Sequence, residues 1–238
     1  IGYTDLEVEL GAAIPTGSSV TASMVEASTD DNSPYYAPDT AHAQFTGKTI
    51  TLMSGASGTS WHATTVGTYL FGNTSSIAGG IVDIDSWLAD DWIGAGFLKT
   101  ASSLEPAVET QDVQNHSWIG TVGSTALDVD VIRRFDYTIQ RDNYVAVVGM
   151  NNGSSTTIPS LMGHNYNAIS VGRSDGVHSA GFTTIDGMGR VKPDIVAPAG
   201  ATSYATPMVG SAAAFLLDTA SGNGAYANAS NSITVKAL

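Results

Sequence analysis

The stretch GATSYATPMVG, residues 200–210, sets Ser203 among small residues at what reads as the head of a helix. A hydroxyl there faces unsatisfied backbone N–H groups that can steady a developing anion. Gly200, Ala201 and Ala205 let other backbone approach it closely. Pro207 suits a first helical turn, where its missing N–H costs nothing. The chemistry this suggests is nucleophilic attack by Ser203. The plainer reading is a helix cap, the commoner use of serine at such a place.

A serine nucleophile requires a base, and five histidines are available. His42, His116, His164 and His178 stand in loop-like or strand segments without a distinctive neighbourhood. His62 stands in SGTSWHATTVGTYLFGN, after a Gly/Ser loop and at the start of a small-residue helix. It shares with Ser203 the loop-to-helix placement of α/β active sites, which lie at the carboxyl ends of strands.

The elements that would position these groups are short apolar runs bounded by turn residues. They fall at 20–27, 48–53, 79–85, 113–119, 144–150, 168–172 and 194–198. Several are continuously apolar, as parallel strands buried on both faces are. Helical segments lie between some of them. In 125–143, Leu127, Val131, Phe135 and Ile139 recur every four residues as one apolar stripe. TPMVGSAAAFLLDTA is apolar almost all round and reads as a central buried helix. The alternation predicts an α/β three-layer sandwich around a mostly parallel sheet, built as a single domain over residues 1–238. The ending NSITVKAL reads as the start of a helix without a C-cap, as if the natural chain continued. The opening at Ile1, without an initiator Met or signal peptide, reads as that of a processed or trimmed product.

Composition bounds the function. Nine basic against twenty-two acidic residues give a net charge of −13, which argues against nucleic acid and anionic lipid as partners. No cysteine is present, so disulfides and thiolate metal sites are excluded. No stretch reaches the roughly 18 apolar residues of a membrane span. GKT at 47–49 resembles the tail of a phosphate-binding loop, but the glycine that motif requires five residues before Gly47 is His42.

Seven blocks, in order, carry a family resemblance. GSSVTASMVEAS takes the place of G-x-G-V-x-V-A-V-[IL]-D-[ST], HATTVG resembles H-G-T-x-V-A-G, and VQNHSWIG resembles N-x-S-[LW]-G. YVAVVGMNNG is similar to the strand ending in A-A-G-N-x-G, and YNAISVGRSD to [VA]-I-x-V-G-A-x-D. GRVKPDIVAP resembles K-P-D-[IV]-x-A-P, and ATSYATPMVGSAAA resembles G-T-S-M-A-x-P-x-V-x-G-x-A-A. The set resembles the subtilisin-like serine proteases over nearly the whole chain. Sedolisins share a similar serine block but use glutamate and aspartate where this chain has His62.

The resemblance implies a serine endopeptidase with Ser203 as nucleophile and His62 as general base. Asn151 falls at the oxyanion-hole asparagine, with Asn152 as its neighbour if the register slips by one. Glu26 takes the acid position where the family has aspartate; Asp30 and Asp31, just downstream, are the alternatives. Ser117, Trp118 and Ile119 occupy the strand that would pair with an extended substrate. Met150 replaces a glycine and would partly fill the pocket for the residue before the scissile bond. Ala63 and Ala201 each add a methyl where the family has glycine, and APAGATS omits a hairpin. These departures leave a second reading open, a degenerate fold serving as a binding or scaffolding module. The resemblance further implies protein or peptide substrates, a monomer, an extracellular, periplasmic or cell-surface location, and no required cofactor. Calcium is the structural ion it suggests, with no residues assigned.

Overall fold

The computed structural model describes residues 2–29, 35–183 and 189–238. Asp30 and Asp31 lie outside the described residues. The sheet is built from seven strands: β1 (Ala22–Glu26), β2 (Thr49–Leu52), β3 (Asp83–Leu88), β4 (Val113–His116), β5 (Val145–Gly149), β6 (Ile169–Arg173) and β9 (Ile195–Ala197). Their spatial order is β2-β3-β1-β4-β5-β6-β9, and every pairing is parallel. Two short strands, β7 (Gly181–Phe182) and β8 (Val191–Lys192), pair antiparallel apart from it.

Alternation along the strands divides the core in two, because successive side chains point to opposite faces. Ala22 and Met24 of β1 and Val147 of β5 pack with Val66 and Leu70 of helix α2 (Trp61–Phe71), and with Ala205, Ala213 and Leu217 of helix α5 (Thr202–Ser221). On the other face, Val25, Ala146 and Val148 pack with Trp92, Phe97 and the stripe Val131, Phe135 and Ile139 of α4 (Thr125–Asp142). Leu127, the first residue of the expected stripe, is exposed at the helix end. Helix α5 tolerates all-round apolarity because it lies among the sheet, α2 and the chain end, where α6 (Ser232–Ala237) places Val235 in the same core. Tight contact there depends on Gly210, where a Cβ would come within 2.8 Å of Leu70.

Two expected elements shift. The run at 79–85 becomes a strand only from Asp83, and the strand continues to Leu88. Gly79 and Gly80 lie in the preceding turn, where the Gly80 N–H donates to the Thr16 carbonyl. Pairing with both β1 and β2 carries the polar sequence DIDSWL into the sheet. The run at 113–119 pairs only as far as His116; Ser117, Trp118 and Ile119 continue past the sheet edge without a ladder partner.

Candidate active site

Glu26 ends β1, the strand at which chain progression through the sheet reverses direction. Its side chain is fully buried on the α2/α5 face. Opposite it, Ser60 caps α2 by accepting from the Ala63 N–H, which fixes His62 in the first turn. His62 Nδ1 lies 2.6 Å from Glu26 Oε2. A carboxylate can only accept from this nitrogen, so the proton sits on Nδ1 and Nε2 presents its lone pair. Burial works to lower the His62 pKa, but the hydrogen bond and charge of Glu26 outweigh it and the net shift is upward. Burial raises the Glu26 carboxyl, with the His62 contacts pulling it back. The second oxygen, Oε1, is buried without a hydrogen-bond partner among the described residues, which concentrates the carboxylate's interaction there on His62.

Three of the other four histidines make contacts away from Ser203. His116 Nε2 lies 2.8 Å from Gln114 Oε1, and burial pushes its pKa down to about 3. His42 Nδ1 and His178 Nδ1 accept backbone N–H groups of Gln44 and Arg173.

Ser203 is the second residue of α5, and its side chain is partly exposed. Among the described residues its N–H has no acceptor, as befits a first-turn donor. Its hydroxyl makes no hydrogen bond to His62 among the described residues; catalytic hydrogen bonds commonly tighten only when substrate binds. The ring of Tyr204, the next residue, lies 6.3 Å from that of His62, so the two helix heads meet. Pro207 stands sixth in α5, in its second turn rather than its first. Its missing N–H deprives the Ser203 carbonyl of its helical partner. Ser117 Oγ supplies the replacement at 2.9 Å and itself accepts from Asn115 Nδ2 at 3.0 Å. Ser117 thus ties the end of β4 to the head of α5.

A pocket of about 60 Å³ opens beside Ser203, lined by Ser117, Trp118, Ile119, Gly149, Met150, Asn151, Asn152 and Thr202. Trp118 and Met150 are buried in its walls, whereas Ile119 is exposed. Both asparagines border it, but they differ in how they are held. Asn152 Oδ1 accepts from the Thr202 N–H at 3.0 Å and the Thr202 hydroxyl at 3.2 Å. A backbone N–H can only donate, so the amide orientation is fixed and the NH2 of Asn152 is the free end. Asn151 is instead anchored by its backbone, which exchanges hydrogen bonds with Ser179. The side-chain geometry therefore favours Asn152, one register beyond the residue picked out by the N-x-G likeness.

Sequence reasoning missed a line of rings around His62. Exposed Trp61 meets His62 edge-on at 5.7 Å, and Tyr204 contacts Tyr69 at 5.8 Å. The available signal was three large aromatics in two otherwise small-residue stretches. It also missed a buried cluster beneath β1 and β4. Glu109 there accepts from Ser23, from Gln114 and from the N–H groups of Thr110 and Gln111. Burial still raises its pKa to about 7. Ala63 and Ala201 are accommodated: Ala63 is fully buried in the core, and Ala201 takes an extended conformation as the N-cap of α5.

Among the described residues no group of three or more His, Asp or Glu side chains gathers as a metal site. No helix among them is long and apolar enough to cross a membrane.

No protein-family model matches the sequence, and no curated protein is significantly similar to it. Solved structures do resemble it. The prenylagaramide maturation protease PagA is 16% identical, covering 87% of this chain and 78% of its own at a TM-score of 0.56. A cold adapted subtilisin-like serine proteinase is 17% identical, covering 94% and 81% at the same TM-score. The fold is therefore subtilisin-like.

Proposed function

We propose that this subtilisin-like fold is a working serine endopeptidase. The observation that carries the reading is the 2.6 Å contact between Glu26 and His62, set beside a serine whose N–H is unsatisfied at the head of a 20-residue helix. A fold kept only for binding has no need to bury a carboxylate against an imidazole, a costly arrangement.

Ser203 Oγ attacks the scissile carbonyl and His62 Nε2 takes its proton. Glu26 holds the Nδ1 proton and stabilises the imidazolium. Charge developing on the carbonyl oxygen is met by the Ser203 N–H and the Asn152 amide, with the dipole of α5 behind them. His62 then protonates the leaving nitrogen, and water resolves the acyl-enzyme by the reverse sequence. Among the described residues the segment 117–119 has no sheet partner, and an extended protein or peptide substrate would pair with it there by backbone hydrogen bonds. The pocket beside Ser203, narrowed by Trp118 and Met150, favours a small residue before the cut. Extracellular placement and a monomeric state remain part of this reading.

Treatment with a fluorophosphonate, followed by peptide mass spectrometry, tests it. Stoichiometric adduct on Ser203 that disappears in His62→Ala is the expected result. A folded protein that takes no label overturns the reading in favour of a binding module.

A further inference from the structure

Resting on that reading, we infer that the leaving-group side of the site selects an aromatic residue immediately after the scissile bond. The pocket at 117–119, 149–152 and 202–203 takes up one side of Ser203, and neither His62 nor Tyr204 belongs to it. A base that removes the serine proton must next give it to the leaving nitrogen, so the residue carrying that nitrogen lies against His62. What surrounds His62 there is aromatic. Trp61 stands edge-on to it and is 66% exposed, the Tyr204 ring lies 6.3 Å from it, and Tyr69 supports Tyr204. No packing within the described residues accounts for an indole left so open beside the imidazole.

The rings offer an aromatic surface beside the imidazole, with a hydroxyl on each tyrosine. Aromatic side chains gain from such a surface beyond simple area burial, through edge-to-face contacts. The direct connection from β9 to α5 through residues 198–201 contributes no hairpin to roof this side, so the rings supply what surface there is.

Partitioning of the acyl-enzyme isolates this subsite. An acetyl-alanyl methyl ester acylates Ser203 and releases methanol, and the acyl group then passes either to water or to an added amine. In the second course the amine nitrogen bonds to the acyl carbon, the ester bond to Ser203 Oγ breaks, and His62 carries the amine proton to Oγ. Phenylalaninamide and glycinamide compete at equal concentration, with the two amides quantified by mass spectrometry. The wild-type protein should favour phenylalaninamide about five-fold, the scale of an aromatic contact. Trp61→Ala and Tyr204→Ala should each bring the ratio to twofold or below, while Tyr204→Phe should keep it. The ratio is internal to each preparation, so a poorly folded fraction does not alter it. Equal capture by the wild type, with ester turnover intact, overturns this inference and leaves the protease reading standing. Absence of methanol release overturns both.

Discussion

Shortening Glu26 by one methylene is the sharpest test of the site. Glu26→Asp retracts the carboxylate by about 1.5 Å, one C–C bond. With Glu26 Oε2 now 2.6 Å from His62 Nδ1, the gap would open to about 4 Å, beyond hydrogen-bond reach. Bonds to charged groups are worth about 1.5–3 kcal/mol, so kcat/KM should fall by about ten- to a hundred-fold at 1.36 kcal/mol per decade. Glu26→Gln keeps the length but removes the charge and misdirects the imidazole, and should cost about 10⁴-fold. The pH profile supplies an independent readout. In the native chain Glu26 raises the His62 pKa against its burial, so the rising limb of kcat/KM should be displaced upward from the ordinary imidazole range. In Glu26→Asp the raising contact weakens while burial persists, and the limb should move to lower pH even as the plateau falls. The assay is ester hydrolysis from pH 5 to 9, with thermal melts to show that the variant folds. Wild-type turnover with an unmoved limb in Glu26→Asp would refute the argument that glutamate's length closes this contact.

Asn152→Ala should lower kcat by about 10²–10³-fold, the cost of one oxyanion donor, and Asn151→Ala by much less; the reverse order in steady-state kinetics would return the role to Asn151. Ser117→Ala should cost about 1–2 kcal/mol of stability by orphaning the Ser203 carbonyl. That cost should shrink in a Pro207→Ala background, where the helix regains its N–H, and additive losses in urea titrations would count against the pairing. Glu109, with its folded pKa at about 7 against 4.5 in the open chain, keeps a proton that the unfolded state releases. Stability should therefore fall as pH rises from about 4.5 to about 7, by at most about 3 kcal/mol from this group. Urea unfolding at pH 5 and pH 8 should show a flatter dependence in Glu109→Gln, and an unchanged slope would sink the assignment.

How much of this was legible in the sequence follows the physics of each part. The parallel sheet and the buried helix showed themselves because burial on both faces forces long apolar runs, as in YVAVVGM and AAAFLL. Strand β3 hid its start because its residues DIDSWL are half polar, and its place is set by two neighbours rather than by its own pattern. His62 and Ser203 stood out through their loop-to-helix settings, whereas Glu26 was reached only through the family resemblance, which put it where that family has aspartate. The choice between Asn151 and Asn152 was beyond reach, since it turns on which side chain meets Thr202 across fifty residues of chain. Pro207 was misplaced for a related reason. Spacing gives four residues from Ser203, but only the observed helix start shows that those four reach the second turn.

The connection from β9 to α5 carries a mechanical consequence. Only residues 198–201 separate Ala197, on a three-residue edge strand, from the helix that bears the serine. Among the described residues β9 pairs in the sheet with β6 alone, and Ile195 and Val196 are open to solvent. A tether so short transmits displacement rather than absorbing it, and short edge strands are among the first elements to fray. Detachment of β9 would drag the hydroxyl away from the imidazole while the remaining six strands stayed zipped. The proposed catalysis should thus report on one end of the sheet: ester hydrolysis followed on warming should be lost before the far-ultraviolet circular dichroism of the whole fold.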